Sequence, residues 1–129
     1  MDAPVLISAG SLWHTGGYFR EPGFALYPSF TDRGGAGVAL DSAGFTALVM
    51  HGGYRWTVED YCRLGLSFGW DWWAQMDLCC EPEVAKDRVE VRKRVRGIAD
   101  LLFECRNVTE QLWHEDAGDE YDPEWTTLP

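Results

Sequence analysis

The stretch Val38–Val49, VALDSAGFTALV, decides how this chain is read. Its opening residues are apolar and follow a glycine, the mark of a short buried strand. Asp41 stands where the apolar run stops. Ser42, Ala43 and Gly44 then allow a tight turn. Phe45 leads into GFTALVMHGG, which forms either a short helix or a turn into a further extended piece. A carboxylate at the end of a buried strand needs donors or a cation, because burying it alone is costly. Either Asp41 caps the following turn through its own side chain, or it is held at the strand end for chemistry.

Working outward, PVLIS (Pro4–Ser8) is a second short apolar run that reads as a buried strand. Between the two strands lies SLWHTGGYFREPGFALYPSFTDRGGAG (Ser11–Gly37), punctuated by Gly16-Gly17, Pro22-Gly23, Pro28 and Gly34-Gly35. An irregular segment of this length in a compact domain is commonly functional. Downstream, TVEDYCRLGLSFG (Thr57–Gly69) reads as a helix, with Thr57 as N-cap, Asp60 at N3, and Val58, Tyr61 and Leu64 on one face. WDWWAQMDLC (Trp70–Cys79) reads as a strand that again ends in an acid, Asp77.

The strongest helical pattern is Glu81–Trp113. Pro82 fits its first turn, and Val84, Val91, Val95, Ile98 and Leu102 fall on one face. The order strand, long loop, strand, connection, helix, strand, helix predicts parallel α/β units. Asp41 and Asp77 then sit at C-terminal strand ends, where such folds bind ligands. Two such acids can supply a nucleophile, a general acid or base, or acceptors for donor groups on a ligand. By the same reasoning Phe45 belongs to the core, and His14 and His51, in Gly-rich loops, are structural or incidental.

Composition sets the bounds. The 129 residues suit one domain, and 46% hydrophobic residues with seven Trp exclude general disorder. No apolar run is long enough to span a bilayer, and the N-terminus lacks a basic n-region. The four cysteines, Cys62, Cys79, Cys80 and Cys105, form no CxxC pair, which predicts reduced packing thiols, no metal site and a cytoplasmic location. A net charge of −10 disfavours nucleic acid unless cations are segregated. They partly are. KDRVEVRKRVR (Lys86–Arg96) holds six of the eleven, and reads as a solvated helix face.

Several segments together resemble the tRNA-guanine transglycosylases (queuine and archaeosine type) and their DNA-modifying relatives, which insert 7-deazaguanine bases. The family's DSGGFQ motif is here DSAGFT (Asp41–Thr46). Its FTPE-like helix start is WTVED (Trp56–Asp60), and its strand ending in AFDEC is AQMDLCCEPEV (Ala74–Val84). The match covers roughly residues 37–106 and is closest to the DNA-modifying members. It implies the N-terminal half of a parallel (β/α) TIM-like barrel over residues 1–113, with 114–129 an acidic linker towards a missing C-terminal half. It also implies a function, exchange of guanine for a 7-deazaguanine in nucleic acid, DNA in preference to tRNA. Asp41 takes an assisting or acid–base role, Phe45 stacks on the base, and Asp77 accepts from its donor edge. Cys79 lies beside the base, and Ser42 and Gly44 form the motif turn.

Thr46 replaces the usual Gln, and Ala43 stands beside Gly44 where the family has two glycines. The family's nucleophilic Asp and, where present, its zinc site lie downstream of the matched segment. The expectation is therefore a base-binding portion without nucleophile or cofactor, completed by a partner, either a second copy or the missing half. The alternative is a non-catalytic half-barrel interaction module. No membrane partner is expected.

Overall fold

The computed structural model describes residues 4–17, 21–25 and 37–117. At its centre lies β4 (Val38–Asp41), paired in parallel with β1 (Val5–Ser8) on one side and β5 (Trp72–Trp73) on the other. Two registers matter. Ile7, Leu40 and Trp73 form one row across the sheet and are all buried, while Leu6, Ala39 and Trp72 form the next row. Adjacent rows point to opposite faces. Leu6 is 59% exposed and Trp72 40%, with the small Ala39 buried between them, so among the described residues this face of the sheet is open at its two outer strands.

The covering layer is helical. α1 (Gly44–His51) follows β4 directly, and α2 (Val58–Leu66) starts at a full capping box. Thr57 Oγ1 accepts from Asp60 N–H at 3.1 Å, and Asp60 Oδ2 accepts from Thr57 N–H at 3.3 Å. Val58, Tyr61 and Leu64 are buried, as their spacing predicts. Tyr61 donates to the carbonyl of Ala74 at 2.5 Å and packs edge-on to Trp73, 5.8 Å between ring centres. Asp71 fixes the other end of the sheet: its Oδ2 accepts from Val38 N–H at 2.6 Å.

The expected Glu81–Trp113 helix divides. α3 (Pro82–Ala85) is one turn, and α4 (Arg88–Ala117) restarts after Asp87, whose Oδ1 accepts from the N–H groups of Val89 and Glu90. That short side chain competes for backbone donors and starts a new helix. Its core face also differs from the expected one. Leu101, Cys105, Val108 and Leu112 pack on α2 and the core, whereas Val95 is 57% exposed. α4 is about 45 Å long and the nine-residue α2 can cover only part of it.

The long connection supplies a 3₁₀ turn (Ala9–Ser11) and a separate antiparallel ladder, β2 (Trp13–His14) with β3 (Gly23–Phe24). Trp13 and Phe24 stack around the buried Trp56 with ring centres 5.0–5.4 Å apart. Residues 1–3, 18–20, 26–36 and 118–129 lie outside the described residues. α4 runs four residues past the boundary expected at 113, and the rest of the expected acidic linker falls in 118–129.

The half-barrel expectation is overturned. Among the described residues the fold is mixed α/β with a three-stranded parallel sheet, a two-stranded antiparallel ladder and four helices, and no barrel is present. Strand length is one reason: the expected Trp70–Cys79 strand is ordered as sheet only at Trp72–Trp73, with a single bridge at Ala74. The role of α4 is the other. A barrel helix packs on the strands of its own barrel, but α4 lies along α2. Among the described residues no helix is long and apolar enough to cross a membrane.

The asymmetry of the sheet gives a direct test by urea denaturation. Leu40→Ala should cost about 2–5 kcal/mol, as a core truncation does, and Leu6→Ala less than about 1 kcal/mol. Equal losses would mean that both faces are covered.

Candidate functional site

The turn after β4 is built by its own side chains. Asp41 Oδ2 accepts from Ala43 N–H at 3.0 Å, closing an Asx turn. Ala43 has φ 62° and ψ 31°, a left-handed conformation that costs an alanine about 1–2 kcal/mol. Its carbonyl accepts from Ala47 N–H, which starts α1. The capping reading of Asp41 is therefore met, with one carboxylate oxygen committed to the turn.

Asp77 lies four residues beyond Trp73, in coil rather than at a strand end. What holds it is Tyr54. Asp77 N–H donates to the Tyr54 hydroxyl at 2.8 Å, and that hydroxyl donates to the Asp77 carbonyl at 2.7 Å. One phenol thus satisfies both backbone groups of one residue. Burial holds the phenol protonated, well above the usual tyrosine range. Its single proton goes to the carbonyl at the shorter distance, so Ser42 Oγ is the remaining donor to Asp77 Oδ1, at 3.3 Å.

Gly44 makes this arrangement possible. A Cβ there would lie 2.0 Å from Asp77 Oδ1 and 2.7 Å from the Tyr54 hydroxyl. The carboxylate occupies the space a side chain would fill. Beside it Phe45, the next residue of α1, is 61% exposed, which corrects its expected place in the core. An exposed carboxylate thus lies against Gly44, and the next residue along α1 carries an exposed aromatic ring.

Cys79 is tied to a separate cluster. Arg94, on α4, donates to the Cys79 carbonyl and to Glu81 Oε2 (2.7 Å) through Nη1, and to Glu90 Oε1 (3.2 Å) through Nε. Its side chain is 16% exposed, so this cation of the basic run is not part of a solvated face. Cys79 Sγ donates to Glu81 Oε2 at 3.7 Å, and burial, with the Glu81 carboxylate beside it, pushes the thiol up. It is a protonated neighbour rather than a nucleophile at neutral pH. Between Asp77 and Cys79, Leu78 lies on Gly97, where a Cβ would be 2.5 Å from its Cδ1. The 77–81 segment is therefore pinned to α4 at two points and to Tyr54 at a third.

The structure brings Asp41, Ser42, Gly44 and Asp77 together, with Phe45 next to Gly44 along α1, and sets Cys79 two residues beyond Asp77. Tyr54, Glu81 and Arg94 carry equal structural weight and were not singled out by sequence. Tyr54 follows Gly52-Gly53 with no periodic signal, and Arg94 is one cation among six. His51 ends α1, exposed, and His14 lies in β2. Cys62 and Cys105 are buried as packing thiols, with Cys62 Sγ donating to the Cys105 carbonyl at 3.7 Å, but Cys80 is exposed, against expectation. Among the described residues no group of three or more His, Cys, Asp or Glu is placed to hold a metal ion. In comparisons with known proteins the chain matches no family model, no curated protein and no solved structure.

Two outcomes check this geometry. Gly44→Ala should displace Asp77 and destabilise the fold by about 1–3 kcal/mol, the usual cost of overpacking, in chemical denaturation. An unchanged midpoint would mean the packing around Gly44 is slack. The second concerns acid. Glu81 is held below the usual carboxylate range by its own backbone N–H and by Arg94. Its contribution is present at neutral pH and lost as pH falls through that lowered value. Glu81→Gln should therefore lose less thermal stability than wild type between neutral pH and pH ~3.

Proposed function

We propose that the chain binds a guanine-like base, with Phe45 against its face and Asp77 on its donor edge, as the base-recognition part of a transglycosylase-like protein acting on nucleic acid. The observation that supports this reading best is the seat of Asp77. Its backbone is satisfied by Tyr54 and its Oδ1 by Ser42, while Oδ2 accepts from none of the described residues. A fixed carboxylate with open lone pairs suits two adjacent N–H donors. Guanine presents such a pair, N1–H and the exocyclic amine, and a 7-deazaguanine presents the same edge. One seat thus serves both the base that leaves and the base that enters, as a double displacement at the sugar requires.

Asp41 is assigned a supporting role near the sugar. Its Oδ2 belongs to the turn, and the other oxygen is left to assist a proton transfer. The nucleophile that such an exchange needs is not among the residues assigned here. The base–nucleic-acid specificity follows the resemblance of DSAGFT and AQMDLCCEPEV, which favours DNA.

Calorimetric titration of guanine tests the reading. Phe45→Ala should weaken binding about tenfold or more, the range for loss of a stacking partner. Asp77→Asn should weaken it about 10- to 100-fold, since a charge-assisted pair is lost and an amide donor can face a donor. Hypoxanthine, which lacks the exocyclic amine, should bind less well than guanine. Equal affinities for wild type and Asp77→Asn would end the assignment.

A second reading rests on the open sheet face. Leu6 and Trp72 lie exposed across Ala39, and a parallel sheet is ordinarily covered on both sides. On this reading the chain is an interaction module that docks another polypeptide there. Sedimentation velocity should then show self-association that Trp72→Lys removes; a monomer at every concentration argues against a second copy as the partner.

A further inference from the structure

α4 carries a positively charged wall that the base site does not use. Lys86–Arg96 contains six cations and only two acids, Asp87 and Glu90. Both acids are consumed locally: Asp87 caps the first turn of α4, and Glu90 is bound by Arg94. Arg92, Lys93 and Arg96 are exposed, and among the described residues none of them forms an ion pair. The net charge of −10 thus conceals a local excess of positive charge on one helix.

That wall lines a groove of about 810 Å³ between α1 and α4, with Leu48, Leu78 and Val89 as its apolar part and Asp100 as the one further acid. The groove is lined by close neighbours of the base site. Leu78 is the residue after Asp77, and Leu48 is one turn along α1 from Gly44 and Phe45. Arg92 and Arg96 are also one turn apart, about 6 Å along the axis, and Lys93 lies between them in sequence. Such a row meets successive anionic groups rather than a single one.

We propose that this groove is the track for the sugar–phosphate backbone of a single-stranded nucleic acid whose unstacked base enters the Phe45–Asp77 site. The inference rests on the base-binding reading for its direction, since an enclosed base edge is reachable only when the base is out of a duplex. The row of exposed cations does not depend on the base site. Cations along a backbone give affinity without sequence preference and a steep dependence on salt. The apolar groove residues Leu48 and Leu78 match the sugars.

Fluorescence anisotropy with a short labelled single-stranded DNA of mixed sequence tests this on the full chain. The triple variant Arg92→Ala/Lys93→Ala/Arg96→Ala keeps helix propensity and removes the three free cations. Its affinity should fall tenfold or more at low salt, and the slope of log affinity against log salt should shrink by about 2, at roughly 0.7 for each single-strand phosphate no longer neutralised. Removing charge at Arg63 and Arg106 instead should change affinity less than about threefold. Guanine titration of the triple variant should match wild type.

Three results overturn the track: no oligonucleotide binding by wild type at low salt, equal binding by the triple variant, or inorganic polyphosphate competing as well as the oligonucleotide. If the triple variant loses the oligonucleotide while wild type fails to bind guanine, the track is sustained and the base-binding reading falls. If guanine binds through Asp77 but the triple variant holds DNA as tightly as wild type, the reverse follows.

Discussion

The close approach of Asp77 to Gly44 is the constraint from which the candidate site follows. A carboxylate oxygen sits where any other residue at position 44 would place its Cβ, 2.0 Å away. Everything around it serves to hold the acid there. Tyr54 takes both backbone groups of Asp77, Ser42 donates to its side chain, and the Asx turn of Asp41 aims Ser42 and Gly44 at it. The left-handed Ala43 is the strained element of this turn, at a cost that functional sites commonly carry.

This seat depends on parts of the chain far away in sequence. Trp56, beside Tyr54 with ring centres 5.7 Å apart, is buried against Trp13 and Phe24 of the small antiparallel ladder. On the other side Arg94 and Gly97 of α4 hold Leu78, Cys79 and Glu81. α4 itself is anchored by its C-terminal half on α2. The long helix thus works as a beam: one half belongs to the core and the other carries the loop that bears Asp77. The same half presents the exposed cations Arg92, Lys93 and Arg96 that line the groove.

Much of this was legible in local patterns. The strands at Val5–Ser8 and Val38–Asp41, the Thr57–Asp60 capping box and the Asp41 turn are all short-range, and short-range chemistry is what a sequence displays directly. What was not legible is tertiary. The valines of Lys86–Arg96 keep a helical period, yet Val95 is exposed because α2 ends before it could cover that face. Phe45 reads as core by composition, and only the position of α1 leaves it in the open. Tyr54 and Arg94 act across 23 and 15 residues, separations that leave no periodic trace. The barrel failed for the same reason. A resemblance over motifs does not specify how many strands pair, and two residues of β5 cannot carry a closed sheet.

The most direct measurement of the account is the structure of the chain with guanine bound. The base should lie on the ring of Phe45 with N1–H and the exocyclic amine both directed at the Asp77 carboxylate, and with Tyr54 still holding the Asp77 backbone. A base seated elsewhere, or an Asp77 carboxylate turned away from it, would contradict the account.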